Sequence, residues 1–242
     1  DRSRRQSSHI VLLAKNSEGY KNLTYLISMG YLEGFYYNPR IDIELLKKHS
    51  NGLICLSACL GGPVNQAFFK SGKEKAYSVA KQLKEIFPLD HFYLEIQDNG
   101  FKRQAEANEM LLEMGTALDI PMVATADAHY LDRKDAQAHD VLMAIQQNRS
   151  LEDYLAKTER SDKLYLKTPK EMWDSFGSIC PEALENTVKI AERCSVEFDF
   201  NNNYLPDYPI PEEFDEKSYL EHLAVEGLKD RIAKADYPID EP

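Results

Sequence analysis

The stretch Pro121-Met122-Val123-Ala124-Thr125-Ala126-Asp127-Ala128-His129-Tyr130 decides how the rest of the chain is read. Its first five residues are a short apolar run opened by Pro, the length of a buried strand. Its second half turns polar and carries a carboxylate and an imidazole two positions apart. In extended backbone, residues two apart point the same way, so Asp127 and His129 can aim at one point just past the strand. A carboxylate with an imidazole suits a borderline divalent ion such as Zn²⁺ or Mn²⁺. An Asp turn followed by a surface His accounts for the same spacing.

Working back from this stretch, the same cadence recurs. Residues 9–14, 53–56 and 92–96 are apolar runs of strand length. Between them lie segments of helical period: Leu23, Leu26, Ile27 and Leu32 after a capping Asn16, then 41–49, then 73–87 with Val79, Leu83 and Ile86 on one face. Residues 102–118 follow, with Met110, Leu111, Met114 and Leu118 as the stripe, and 135–146 is again helical. Strands alternating with helices predict an α/β fold with a parallel sheet covered on both faces, either doubly wound or closed into a barrel. Four strands are few for a complete barrel of about eight. In both architectures chemistry collects where strands end.

Beyond Asn148 the cadence stops. Residues 150–163 are polar and read as a loop. Thr168-Pro169-Lys170-Glu171 is a capping box with Pro at the first helical position. A helix over 181–194 should turn Leu184, Val188, Ala191 and Cys194 inward. Residues 201–216, with three Asn and three Pro, read as a linker. Ser218 then caps a last helix with a seam of Leu220, Leu223, Leu228 and Ile232. No internal repeat is present.

The chain has 242 residues, 29 Lys plus Arg and 40 Asp plus Glu, a formal net charge of −11. Bulk positive charge is therefore not how it would hold nucleic acid. Residues 195–242 carry −9 of that and residues 1–194 only −2. No run approaches the roughly 18 apolar residues of a membrane span. Four Cys in this length do not suggest a disulfide scaffold and fit a reducing cytoplasm. The start, Asp1-Arg2-Ser3-Arg4-Arg5, reads as a chain cut from something longer.

Further candidates sit at strand termini. Cys59, in Ser57-Ala58-Cys59-Leu60-Gly61-Gly62, can offer a thiolate, or be a small residue before a Gly turn. The two Gly lack the frame of a phosphate loop. His9 opens its strand whereas the others follow theirs, so in a parallel sheet it shares their site only if its run starts earlier or kinks. Glu95 and Asp98 read as solvated loop carboxylates, His139 as a helix-face contact, Cys55 as core, and Cys180 and Cys194 as structural. Tyr36, Tyr37 and Tyr204 could stack bases but read as packing, and Trp173 reads as core.

Several of these stretches together carry a resemblance. His9 to Asn22, Leu56 to Gly62, Tyr93-Leu94-Glu95-Ile96-Gln97-Asp98, Pro121 to Tyr130, Ala138 to Ile145 and Pro181 to Thr187 resemble, in order, motifs of bacterial replicative DNA polymerase III alpha subunits. The resemblance implies a partial, distorted (β/α)7 barrel of the polymerase-and-histidinol-phosphatase (PHP) kind, followed by a mainly helical segment. Residues 1–200 would be a PHP domain lacking its N-terminal part, and 201–242 a linker and the start of the polymerase palm. It implies a cluster of two or three divalent metals, Zn²⁺ or Mn²⁺, with His9, Cys59, Asp127 and His129 among the ligands, in a site able to hydrolyse phosphodiesters and to trim DNA 3′ ends.

For the parent protein it implies template-directed DNA synthesis in the cytoplasm from deoxynucleoside triphosphates. Palm carboxylates outside this chain would hold Mg²⁺, and the sliding clamp and a proofreading exonuclease would be partners, with no membrane. No catalytic residue of the polymerase centre falls in this chain, and the piece alone would be inactive. Two departures stand out. The family's first ligands precede residue 1, and Asn99 stands where the family often has His. The competing expectations are a non-catalytic PHP scaffold that docks a proofreading subunit, and a stand-alone phosphatase of the histidinol-phosphatase kind.

Overall fold

The computed structural model describes residues 7–88, 90–202, 205 and 207–236. Tyr204 lies outside them. The chain divides into two compact units, one through Glu197 and one from Phe198.

In the first unit, β1 (Val11–Ala14), β2 (Leu53–Leu56), β3 (Phe92–Gln97) and β4 (Met122–Thr125) form one sheet in that spatial order. All four strands fall where the apolar runs predict. The sheet is not wholly parallel, however. β2, β3 and β4 are parallel, but β1 is antiparallel to β2, with Val11 opposite Leu56 and Ala14 opposite Leu53. Among the described residues the sheet is open and four-stranded, not a closed barrel.

The reversal has a local cause. After β1 the chain makes two passes rather than one. Helix α1 (Ser17–Leu32), capped by Asn16 accepting from the Gly19 N–H at 2.9 Å, carries it away. Helix α2 (Ile43–Lys48) returns it, so that His49 and Asn51 meet Asn22 near the start of α1. β2 therefore begins beside the end of β1, where the Lys15 N–H donates to the Gly52 carbonyl. Gly52 has φ +71°, and the Gly19 Cα lies so close to it that a Cβ there would sit 1.8 Å from the Gly52 oxygen. Both positions need glycine, one for the turn and one for the close approach.

The remaining strands follow as parallel neighbours. Helices α3 (Pro63–Ser71) and α4 (Lys73–Ile86) lead from β2 to β3, and α5 (Lys102–Leu118) leads to β4. No periodic apolar run announces α3; Pro at its first position starts it, and Val64 and Asn65 anchor it. The larger core lies on one face of the sheet and includes Cys55, Leu94, Ile96, Leu111 and Met114. On the opposite face a smaller cluster joins Ile54, Leu56, Tyr93, Val123 and Ile190. This alternation along β2 is the period of two expected of strands.

The later helices correct three expectations. Residues 150–163 are not all loop: Ser150 caps α7 (Leu151–Lys157), whose one buried residue, Tyr154, is too sparse an apolar signal to read. A 3₁₀ turn (Arg133–Asp135) leads into α6 (Ala136–Gln146), where the helical period predicts a helix. α8 (Pro169–Phe176) has the predicted capping box, but Trp173 lies half exposed rather than in the core. α9 (Pro181–Arg193) turns Ala183, Leu184, Asn186 and Ile190 inward. Val188 and Ala191 face out, because the amide of Asn186 is used against the Met122 carbonyl.

In the second unit, α10 (Glu216–Lys234) is capped by Asp215, with Ser218 as its reciprocal partner three positions in rather than as the cap. Its expected seam of Leu220, Leu223, Leu228 and Ile232 is exposed. No described helix is long and apolar enough to cross a membrane.

Candidate metal centre

The antiparallel β1 removes the objection to His9. Because β1 runs against its neighbour, its beginning lies at the same end of the sheet as the ends of β2, β3 and β4. The His9 N–H donates to the Gly61 carbonyl at 3.2 Å, tying the start of β1 to the loop after β2. The His9 Nε2 then stands 3.0 Å from the Cys59 Sγ. Gly61 is what allows this: a Cβ there would lie 2.1 Å from the His9 Cε1.

After β4, His129 Nε2 lies 3.6 Å from Asp127 Oδ1. The two side chains do meet, but not by extended alternation. Asp127 has φ +49°, a left-handed turn that short polar Asp tolerates better than most residues. The strap that follows holds this turn, since the Leu164 carbonyl accepts from the N–H groups of His129 and Tyr130. His139 packs its ring edge-on to that of His129 with centroids 5.5 Å apart. It is thus the helix-face contact expected, and burial, followed by the neighbouring His129, pushes its pKa down.

Glu95 is the main residue that sequence reasoning undervalues. It is not a solvated loop carboxylate but a buried residue inside β3, 4% exposed. It accepts from the Ala58 N–H at 3.1 Å, the Gln97 amide at 2.9 Å and the Thr125 hydroxyl. Burial raises its pKa against the pull of those three donors, with Asp127 adding to the rise. A charged residue in the middle of an otherwise apolar strand is the signal that points to it. Asp98, by contrast, is half buried and paired with Lys163 at 3.1 Å.

The Asn99 departure also has a structural use. Buried at 2% exposure, it donates to Asp127 Oδ2 at 3.2 Å, leaving Oδ1 toward His129. Gln104 and Asn108 continue this network to the Gln97 carbonyl.

The site therefore consists of two contacting pairs, His9–Cys59 and Asp127–His129, with Glu95 between the loops that carry them. Among the described residues no three His, Cys, Asp or Glu side chains gather into one metal-holding group. The pairs nonetheless feel each other. Burial pushes the Cys59 thiol up, the Gly61 backbone partly offsets it, and the charges of Asp127 and Glu95 push it further. This concentration of negative charge around nitrogen, sulfur and oxygen donors has the chemistry of a cation site. Two buried acceptors without hydrogen-bond partners, Gln97 Oε1 and Asn65 Oδ1, belong to side chains that contact Glu95 and the Cys59 carbonyl. Ala58 is also held at φ +63°, so strain collects beside the site, as it does at functional loops.

Residues 1–99 match the PHP domain family. DNA polymerase III subunit alpha of Borreliella burgdorferi is 44% identical over 229 residues, covering 94% of this chain and 20% of that protein. The Treponema pallidum protein of the same name is 38% identical over 245 residues, covering 98% and 21%. That of Thermus aquaticus is 40% identical over 242 residues, covering 95% and 19%. The chain belongs to the DNA polymerase III alpha-subunit family. It spans about a fifth of the length of these alpha subunits. His9 and Cys59 lie within the stretch matched as PHP, while Asp127 and His129 lie past it but inside the region aligned to alpha subunits.

Proposed function

We propose that this chain is the PHP region of a replicative DNA polymerase III alpha subunit, and that His9, Cys59, Asp127 and His129 hold a divalent metal, Zn²⁺ or Mn²⁺, for phosphodiester hydrolysis. Residues 1–200 are read as the PHP domain and 201–242 as the crossing to the palm. The observation that carries the reading is the meeting of His9 with Cys59 at 3.0 Å, at the sheet end that also bears Asp127 and His129.

A bound ion there would supply an activated water and a clamp on the phosphate oxygens. The chain's own residues do the rest. Cys59 would hold the ion as a thiolate, its proton passing to solvent. Asn99 fixes the Asp127 carboxylate so that one oxygen stays available. Glu95 holds the Ala58 turn that presents Cys59.

For the whole protein the reading is template-directed DNA synthesis in the cytoplasm. It would use DNA and deoxynucleoside triphosphates, with Mg²⁺ at a separate centre and with the sliding clamp and a proofreading exonuclease as partners. The second reading is a non-catalytic scaffold. It draws on the separation of the four side chains into two pairs and on the near-neutral charge of residues 1–194. A stand-alone phosphatase is disfavoured, because the similarity to alpha subunits runs on well past the PHP match.

Metal analysis of the full-length alpha subunit separates the two. Bound Zn²⁺ or Mn²⁺ that is lost in Asp127→Ala/His129→Ala supports the metal site. A metal-free wild type refutes it.

A further inference from the structure

A groove of about 610 Å³ opens between α8 and α9 at the end of β4. That volume lies within the roughly 300–1,000 Å³ of small-molecule sites. It is lined by Met172, Leu184 and Val188, by the half-exposed Trp173, and by the charged side chains of Lys167, Lys189 and Glu185. The helical position of Trp173 predicts a core residue. It lies out because its Cε3 edge passes over Gly177, where a Cβ would be 2.8 Å away. A half-exposed indole in the lining of a groove offers a stacking surface of the kind that takes nucleobases.

Lys167 connects this groove to the candidate metal end. Its ammonium lies 2.6 Å from the Lys163 carbonyl and 3.5 Å from that of Ala126, the residue before Asp127. Both partners are neutral, and the carboxylates of Asp98, Asp127 and Glu171 act on the charge from farther off without a direct ion pair among the described residues. Lys189 is less free, since Glu185 at 3.5 Å and Asn186 at 3.3 Å share it. An apolar slot with one aromatic side chain and one cation held toward the candidate metal end is complementary to a nucleotide: base on the indole, phosphate toward Asp127.

We infer that this groove is a nucleotide subsite, seating the 3′-terminal nucleotide of single-stranded DNA with its base on Trp173 and its phosphate at Lys167. The choice of occupant rests on the phosphoesterase reading, and it adds the substrate end and the residues that position it.

Trp173 is the single tryptophan of the chain, so its emission and its indole N–H resonance report this groove alone. The full chain is titrated with dTMP, thymidine and inorganic phosphate in excess chelator, which keeps the result independent of metal. Saturable quenching by dTMP is expected, with thymidine about tenfold weaker and inorganic phosphate leaving the indole resonance in place. Lys167→Gln should weaken dTMP about tenfold without changing thymidine. By equilibrium dialysis, Trp173→Phe should keep most of the binding and Trp173→Ala lose at least tenfold.

Should Lys167→Gln unfold, the contrast between dTMP and thymidine on the wild type still decides. No response to millimolar dTMP, or equal responses to dTMP and thymidine, overturns the inference. So does displacement of an apolar dye from the groove by protein segments but not by dTMP. A protein that binds dTMP in chelator but takes up no Zn²⁺ or Mn²⁺ in metal analysis would sink the metal reading alone, and one that takes up metal but is blind to dTMP would sink this one alone.

Discussion

Replacing Gly61 by Ala tests the candidate site without touching a proposed ligand. The added Cβ would stand 2.1 Å from the His9 Cε1, 2.8 Å from its Nδ1 and 3.1 Å from its Nε2, where ordinary contact begins at 3.4 Å. The ring must therefore withdraw by about 1.3 Å, which ends its 3.0 Å approach to the Cys59 Sγ. The backbone at Gly61 is not left-handed, so alanine adds bulk and no dihedral strain. His9 is exposed and can swing into solvent, so stability should change by no more than about 1 kcal/mol, the worth of one hydrogen bond.

Metal affinity should fall far more, by roughly 10–100-fold, as when a group that orients a ligand is lost. The assay is a Zn²⁺ or Mn²⁺ titration of wild type, Gly61→Ala, His9→Ala and the double variant, with a thermal melt of each. Because the glycine acts through the ring, the double variant should bind no worse than His9→Ala. Wild-type affinity in Gly61→Ala would refute the reasoning. A further loss on adding Gly61→Ala to His9→Ala would show that the glycine acts elsewhere.

Two other outcomes follow from buried polar groups. The raised pKa of Glu95 means that the folded chain binds more protons there than the unfolded one. Its contribution to stability is neutral below the unfolded carboxylate pKa and becomes a cost as pH rises through the folded pKa. In chelator, wild type should thus lose stability relative to Glu95→Gln as pH climbs through that window; a pH-independent difference between their melts would contradict this. Asn186→Leu removes the 2.8 Å bond to the buried Met122 carbonyl and should cost about 1–3 kcal/mol, read as a lower urea midpoint at unchanged slope. An unchanged midpoint would mean that another donor reaches that oxygen.

The strands and main helices are legible because burial imposes periodicity. Leu53 to Leu56 and Met110, Leu111 and Met114 announce their elements through spacing alone. α7 has one buried anchor, Tyr154, in a polar stretch with no Pro or capping box to mark it, and it gives no such sign. Trp173 misleads for a related reason. Helical position predicts which face a residue shares, but not that Gly177 lets the ring lie across a groove instead of under it.

The site is legible in composition and illegible in geometry. His9, Cys59, Asp127 and His129 all stand at strand termini in the sequence, yet periodicity carries no strand direction. Read as parallel, β1 puts His9 at the wrong end of the sheet. The deciding information lies in the connection: α1 outward and α2 back make an even number of passes, which returns the chain to the end where β1 stopped. A count of helices alone does not fix this, because α3 and α4 also lie between β2 and β3, which are parallel; the meeting of the end of α2 with the start of α1 is what reverses β1 and makes His9 the partner of Cys59. The same geometry makes the two halves of the candidate site interdependent. The start of β1 holds the Gly61 loop, that loop carries Cys59, and the charges of Asp127 and Glu95 act on the Cys59 thiol. A change that moves β1 should therefore be felt at the loop after β4, although the two lie far apart in the chain.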